Sequence, residues 1–435
     1  CFPGGAQTDA QAHATARAIA DAGQPQPGSA AFNTLKATVT SLVIGAGGAR
    51  FNDKSNLYHT EGMYNFTSAL NNAVELIAGA SYQRDKLNSG GTIFDDKLKP
   101  ILIDEYGAYA QLSKKILDDK LKLTGSIRYD KNENFKGQFT PRIAGVLSVA
   151  KDNNIRVSYQ TGFRNPTNQN QVIDLQVRPG TYVIGGLPGP LTKYNLFTNK
   201  GYTLASFQQF VGGGGTNPAL LVPYTFGEFK PESVQAYEIG YKGLINSKLL
   251  IDAYYYYNSY KDFISTLVLV QNPTPANPAG LANPLVFSTA VNNPAKVNSQ
   301  GWALGLDYPV QKFSLTGNVS YNKITNKNTS FVDEYNTPKI RYNLGLANRD
   351  LFKNIGFNVS YRWQGDYLWQ STFVTGQVPA FGTMDGQLSL KIPSYKTMLK
   401  IGGSDLFNKY HRTSYGNPTV GGMYYVSLLF DQFLR

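Results

Sequence analysis

About fifteen strand-length stretches alternate apolar and polar residues, and the connections between them are alternately short and long, which leaves few folds open. The clearest stretch is residues 230–243, KPESVQAYEIGYKG. Tyr237, Ile239 and Tyr241 fall on one face, and Glu238, Gly240 and Lys242 on the other. The same separation recurs where Leu121, Leu123, Ile127 and Tyr129 oppose Lys122, Thr124, Ser126 and Arg128. It recurs again where Ile155, Val157 and Tyr159 oppose Arg156, Ser158 and Gln160. In a soluble sandwich the apolar face would point at a core. In an outer-membrane barrel it meets lipid, and the polar face lines a wet interior.

Connection lengths decide between these. Short turns are expected at 71–72, 118–119, 151–154, 245–248, 309–312, 351–354 and 393–396. Longer connections fall between them, near 86–100, 131–138, 164–230, 269–285, 325–338, 370–381 and 407–420. Sorting by end is the habit of a membrane barrel with long loops outside the cell, and a sandwich has no reason to adopt it. The reading is therefore all-β: an antiparallel transmembrane β-barrel occupying 51–435, with an extracellular insert of helical turns before it. That insert, residues 1–50, holds an alanine-rich helix-prone stretch at 10–22 and a second short helix or strand at 32–44. An odd strand count cannot close a single-chain bacterial barrel, so further strands are expected to precede this chain.

Composition agrees. Aromatics reach 13 %, with 29 Tyr and 24 Phe, and 43 glycines favour tight turns over helices. No apolar run of about 18 residues exists, so a transmembrane helix is not expected. The single cysteine, Cys1, excludes an intrachain disulfide and is read as lying near the start of a processed or truncated piece. The net charge of +12 comes from basic residues spread singly, without the block that nucleic acid would require. Gly45, Gly47 and Gly48 mimic a nucleotide fingerprint, but Arg50 stands where its third glycine belongs.

Four stretches, 230–243, YYYYNSYKDFI at 254–264, AKVNSQGWALGLDY at 295–308 and GSDLFNKYHRTSYGNP at 403–418, resemble the C-terminal barrel of TonB-dependent outer-membrane receptors. TGFRNPT at 161–167 is similar to that family's strand-end motif before a long loop. The likeness is greatest to receptors of Bacteroidota, the helical insert before ARFNDKSNLYH (49–59) included. On this resemblance the family-motif positions are Phe163, Arg164 and Pro166, then Pro231, Glu232, Tyr237, Glu238 and Gly240. It implies a barrel of about 22 strands, with a plug and a TonB-contacting segment outside this chain. It further implies the bacterial outer membrane as location and uptake of a scarce nutrient (siderophore, cobalamin, haem or oligosaccharide), energised through TonB. The implied partners are outer-membrane lipid, the plug, TonB, a small extracellular ligand and a surface lipoprotein. No cofactor and no enzymatic activity are implied.

Alternation places Lys122, Arg128, Arg142, Arg156, Glu238, Lys242, Arg341 and Arg362 on the polar face as lumen-facing candidates. Their cations would draw an anionic ligand inward or pair with carboxylates of the plug. Glu238 and Lys242 lie about 13 Å apart along a strand, too far to pair. Tyr255 and Tyr257 belong to the apolar face, and Tyr254 and Tyr256 point inward. His13, His59 and His411 lack ligand spacing, and no serine sits in a G-x-S-x-G setting. Asp95-Asp96, Asp104-Glu105 and Asp118-Asp119 are expected to be solubilising charges. The connection 164–230, with its glycine run, is the candidate for ligand contact. Two rivals remain: a passive porin or surface-binding barrel, and a soluble β-rich enzyme or carbohydrate-binding module.

Overall fold

The computed structural model describes residues 9–272, 283–325, 335–371 and 374–430. Cys1, the interiors of the connections 269–285, 325–338 and 370–381, and residues 431–435 lie outside the described residues. Two largely exposed helices come first, α1 (Asp9–Asp21) and α2 (Ala30–Ser41), the latter capped by Ser29, whose hydroxyl accepts the Phe32 amide.

Six strands follow: β1 (Asn56–Asn65), β2 (Glu75–Leu87), β3 (Ile101–Ile116), β4 (Leu121–Asn132), β5 (Gln138–Ala150) and β6 (Asn153–Arg164). The chain then departs through α3 (Asn168–Val172), β7 (Asp174–Arg178), β8 (Thr181–Ile184), α4 (Pro188–Lys193), β9 (Tyr202–Thr203) and α5 (Leu204–Gly212). It returns as β10 (Glu232–Ile245) and β11 (Leu249–Lys261), departs again as the hairpin β12 (Phe263–Gln271) and β13 (Leu285–Asn293), and continues as β14 (Val297–Val310). The remaining strands are β15 (Phe313–Thr325), β16 (Ile340–Phe352), β17 (Ile355–Gln364), β18 (Tyr367–Gln370), β19 (Thr375–Val378), β20 (Phe381–Ile392), β21 (Thr397–Ser404) and β22 (Met423–Phe430).

Fifteen of these strands form one sheet, ordered β1 to β6, β10, β11, β14 to β17, and β20 to β22, with neighbours antiparallel throughout. This is the barrel wall that the alternation predicted, in the predicted strand number. Among the described residues β1 and β22 are not paired with each other. The short turns are built from residues in the left-handed region: Asn71, Asn72, Asp118, Asp119, Asp152, Asn246, Gln311, Asn354 and Lys396 all have φ between 49° and 69°. Asn and Asp tolerate that region because their short polar side chains bond locally.

Register makes the two faces continuous. Leu123, Gly145, Val157, Ile239, Tyr255, Trp302 and Tyr321 are successive cross-strand partners, forming one apolar row across seven strands. Val157 and Ile239 are each 53 % exposed, which a soluble protein would not tolerate in a contiguous band. One residue along, Thr124, Ala144, Ser158, Glu238, Tyr256, Gly301 and Asn322 form the matching polar row.

Three expectations need correction. The sequence reads 249–268 and 286–308 as two long strands, but neither is a single strand. Each breaks where the chain leaves the wall, at Asp262 with φ 53° and at the turn between β13 and β14. At the first break alternation gives way to a near-continuous apolar run at 263–270. The connection 164–230 is not irregular: its strands join the β12–β13 hairpin in a second, five-stranded sheet ordered β7-β8-β13-β12-β9. The third concerns the acidic pairs, below.

Candidate functional site

The second sheet is a cap with its own interior. Ile184, Leu191, Leu196 and Phe287 form one fully buried cluster, with Tyr182 and Tyr194 packed on it. The Phe287 ring lies 5.4 Å from Tyr182 and 5.0 Å from Tyr194. Leu267, Leu269 and Val291 form a second cluster under Tyr224 and Phe226, and Phe210 of α5 is fully buried. A third, Leu87, Ile93, Phe94, Ile103, Ile173 and Leu175, joins the cap to β2, β3 and the connection between them. Sequence reading missed this core, although the near-continuous apolar run at 263–270 is the signature of a strand buried on both faces.

The family-motif residues tie the cap to the wall. Arg164 and Glu232 are register partners on β6 and β10, and their guanidinium and carboxylate lie 3.0 Å apart. The same Glu232 oxygen accepts the Ile264 amide at 3.0 Å, where β12 leaves the wall. Beyond Arg164, Asn165 donates to Glu105 at 3.3 Å and Asn132 donates to the same carboxylate. The Pro166 carbonyl accepts from Gln171 at 2.7 Å, and Gln171 accepts from Asn134 at 2.8 Å. Asn168 donates to Asp85 at 3.0 Å. Glu232 is 7 % exposed, so Glu232→Ala leaves the buried Ile264 amide without its acceptor. The expected cost is about 1–3 kcal/mol, with little added for the half-exposed Arg164. Hydrogen exchange at the start of β12 should accelerate while exchange in β3 and β4 stays unchanged.

Two of the acidic pairs, Asp95-Asp96 and Asp104-Glu105, are anchors and not solubilising charges, whereas Asp118-Asp119 is exposed in its tight turn. Asp96 is buried and accepts from the Ser89 hydroxyl at 2.8 Å and from the Gly91 amide at 2.6 Å. Asp104 holds Arg84 at 2.7 Å, and Asp95 meets Lys193 of α4 at 3.1 Å. Lys193 also pairs with Asp174, which accepts from the Tyr194 phenol at 2.6 Å. Burial, reinforced by Asp174, pushes the Tyr194 phenol above its usual value of 10.0. Burial opposes the Lys193 charge, yet Asp174 and Asp95 outweigh it, and that group is raised as well. A group held protonated in the fold but released in the unfolded chain stabilises fully below the unfolded value and loses that contribution above it. The cap should therefore loosen first as pH rises past about 10, read as near-ultraviolet circular dichroism, and Tyr194→Phe should blunt the transition.

On the wall four of the predicted cations, Lys122, Arg128, Arg156 and Arg362, pair with carboxylates of the wall itself. Arg156 reaches Glu238 and Asp252, each at 3.0 Å, and lies over the Tyr254 ring at 5.5 Å. Gly240 permits this: a Cβ there would stand 2.7 Å from the guanidinium carbon. Arg128 pairs with Asp130, Lys122 with Glu75 at 3.1 Å, and Arg362 with Asp385. Glu238 and Lys242 do not meet, as their spacing required; Lys242 stands opposite Asn154 and Asp252. Arg142 stands opposite Ser126 and Gln160, and Arg341 opposite Ser320 and Gln364. Tyr237 packs 5.1 Å from Tyr159 on the apolar face, and Phe163 stands opposite Ser233.

Between the cap and the connection 131–138 lies a crevice of about 790 Å³. Phe135, Phe197 and Phe229 supply aromatic walls, and Lys136, Glu228 and Lys230 supply charge of both signs at its edge. Pro231 of the family motif also lines it. Such a mouth can hold a small amphipathic molecule against aromatic faces while polar groups orient it. Among the described residues no three His, Cys, Asp or Glu side chains are grouped to hold a metal ion.

A sequence profile of the family described as TonB dependent receptor-like, beta-barrel, matches residues 9–406. Similar folds occur in the siderophore receptor PirA from Acinetobacter baumannii, 14 % identical, TM-score 0.58, with 86 % of this chain and 54 % of that chain covered. The FrpB iron transporter from Neisseria meningitidis is 15 % identical with TM-score 0.59, covering 86 % and 54 %. A mutant of the ferric enterobactin receptor PfeA from Pseudomonas aeruginosa is 14 % identical with TM-score 0.59, covering 86 % and 53 %. At such identities the likeness concerns the fold alone. The chain spans about half the length of these solved structures. No curated protein matches the sequence.

Proposed function

Because the chain belongs to the TonB dependent receptor-like β-barrel family, we propose that it forms the larger part of the wall of an outer-membrane transporter that takes up a scarce nutrient. Energy would be relayed from the inner membrane through TonB. The observation that carries this reading is the position of the cap. Both excursions that build it, β6 to β10 and β11 to β14, leave the wall at the end opposite the tight turns. A folded, aromatic-lined mouth at the long-connection end of a lipid-facing wall is what capture from outside the cell requires.

In this reading the crevice and cap take the ligand, the polar face lines the lumen, and residues 9–50 form an extracellular insert of the Bacteroidota type. The TonB-contacting segment and the plug belong to the length of the relatives that this chain does not span. The ligand would be a siderophore, cobalamin, haem or an oligosaccharide; the matched structures are named for siderophores and iron.

The test is a gene deletion complemented with the full-length protein, grown with each of these nutrients in turn at limiting concentration. Growth on one of them should require the protein and stop when a protonophore dissipates the inner-membrane gradient. Uptake that persists without the gradient would instead support a passive pore, and growth unaffected on all four would reject the reading.

A further inference from the structure

We infer that the apolar face carries a seat for one phosphorylated lipid, at the end of the wall that bears the long connections. An acyl chain lies in a groove across β5, β6, β10 and β11, and an anionic head group is held beyond it by Lys261 and Lys323.

The groove has a volume of about 510 Å³. Gly145, Val157 and Ile239 are successive cross-strand partners and form its floor. Tyr159, Tyr237 and Tyr257, partners in the next row of the same face, rise along its outer side. The space exists because position 145 has no side chain: a Cβ there would meet only Leu123, at 3.5 Å and 3.9 Å from Leu121, and no other side chain enters.

Beyond the tyrosines the same face turns polar in a fixed order. Thr161, Gln235 and Ser259 are successive partners and supply hydroxyl and amide groups. The Thr161 hydroxyl donates to the Pro141 carbonyl at 3.3 Å, which leaves its oxygen free to accept. Next along this face Ser233 pairs with Lys261, about 13 Å from Tyr257 by strand rise. Lys323 stands level with Tyr257 through Gln300, their shared neighbour. Both lysines are exposed, and among the described residues no carboxylate pairs with either. Asp262, next to Lys261 in the chain, lines the crevice under the cap instead.

Charge selects the occupant. Tyr255, Tyr257 and Trp302 are exposed on this face and form the aromatic level at which a bilayer passes from tails to head groups. Two unpaired cations at and beyond that level attract an anionic head group, each contributing about a fivefold preference. Lipid tails are as apolar as leucine, so the groove by itself selects nothing. It fixes where one chain lies, and the lysines decide which head group stays.

The test uses full-length protein in detergent, read by native mass spectrometry as retained lipid. Diphosphoryl lipid A and dioleoyl phosphatidylglycerol are the anionic probes, and dioleoyl phosphatidylcholine is the zwitterionic comparator. At least one anionic lipid should be retained in preference to phosphatidylcholine. Lys261→Gln and Lys323→Gln should each weaken that retention about fivefold, and Lys312→Gln, in the turn between β14 and β15, should leave it unchanged. Gly145→Val, which fills the groove floor with a good strand former, should weaken it as well. Equal retention of anionic and zwitterionic lipid, or anionic retention that neither Lys261→Gln nor Lys323→Gln moves, would overturn the proposal. So would retention indifferent to Gly145→Val, which would mean a bare electrostatic patch, and so would displacement of the lipid by inorganic phosphate at equal concentration.

Discussion

Phe287→Ala is expected to melt the cap and leave the wall intact. The ring is fully buried, and its packing partners Tyr182, Tyr194, Ile184, Leu191 and Leu196 all belong to the cap. Truncating such a side chain removes its transfer free energy and leaves a void, at a cost of about 3–5 kcal/mol. A cap whose local stability is smaller than that will open, because stability in folded proteins is distributed in units and not shared evenly. Limited proteolysis should then cut within 174–226, while the wall keeps its resistance to detergent at room temperature. If cap and wall lost structure together, the cap would be no separate unit. If neither changed, the Phe287 cluster would not be what holds it.

Ile239→Lys carries the second large effect. Ile239 lies at the middle of β10 on the apolar row, between Val157 and Tyr255, and is 53 % exposed. A lysine at the bilayer midplane of a barrel costs about 2–4 kcal/mol. Three residues away, Ala236 lies on the polar face opposite Gln160 and Asn258. Ala236→Lys on the same strand should therefore fold into vesicles with nearly the parent yield, while Ile239→Lys should not. Equal yields from both would mean that the apolar row does not meet lipid, and would revive a soluble β-fold.

Local rules made the wall legible. Alternation at Tyr237, Glu238, Ile239 and Gly240 sets which side each residue takes, because side chains in a strand alternate with period two. Turn residues such as Asn71, Asp118 and Asn354 set where strands reverse, because few residue types accept a left-handed backbone. Both signals sit within a few residues of the place they govern. The partners of the candidate residues were not legible. Arg156 meets Glu238 and Asp252, 82 and 96 residues away, and only the register of β6 on β10 and of β10 on β11 brings them together.

The same division runs through the whole chain. The amino-acid sequence by itself determined a lipid-facing antiparallel wall, its strand number and which of its ends carries the long connections, since each follows from period and turn chemistry along a single strand pair. Tertiary structure alone decided that 164–230 and 263–293 leave the wall to build a second sheet, and that Glu232 and Glu105 fasten it. Those outcomes depend on pairings between β8 and β13, and between loops far apart in the chain, where burial of a shared core outweighs any preference written in neighbouring residues.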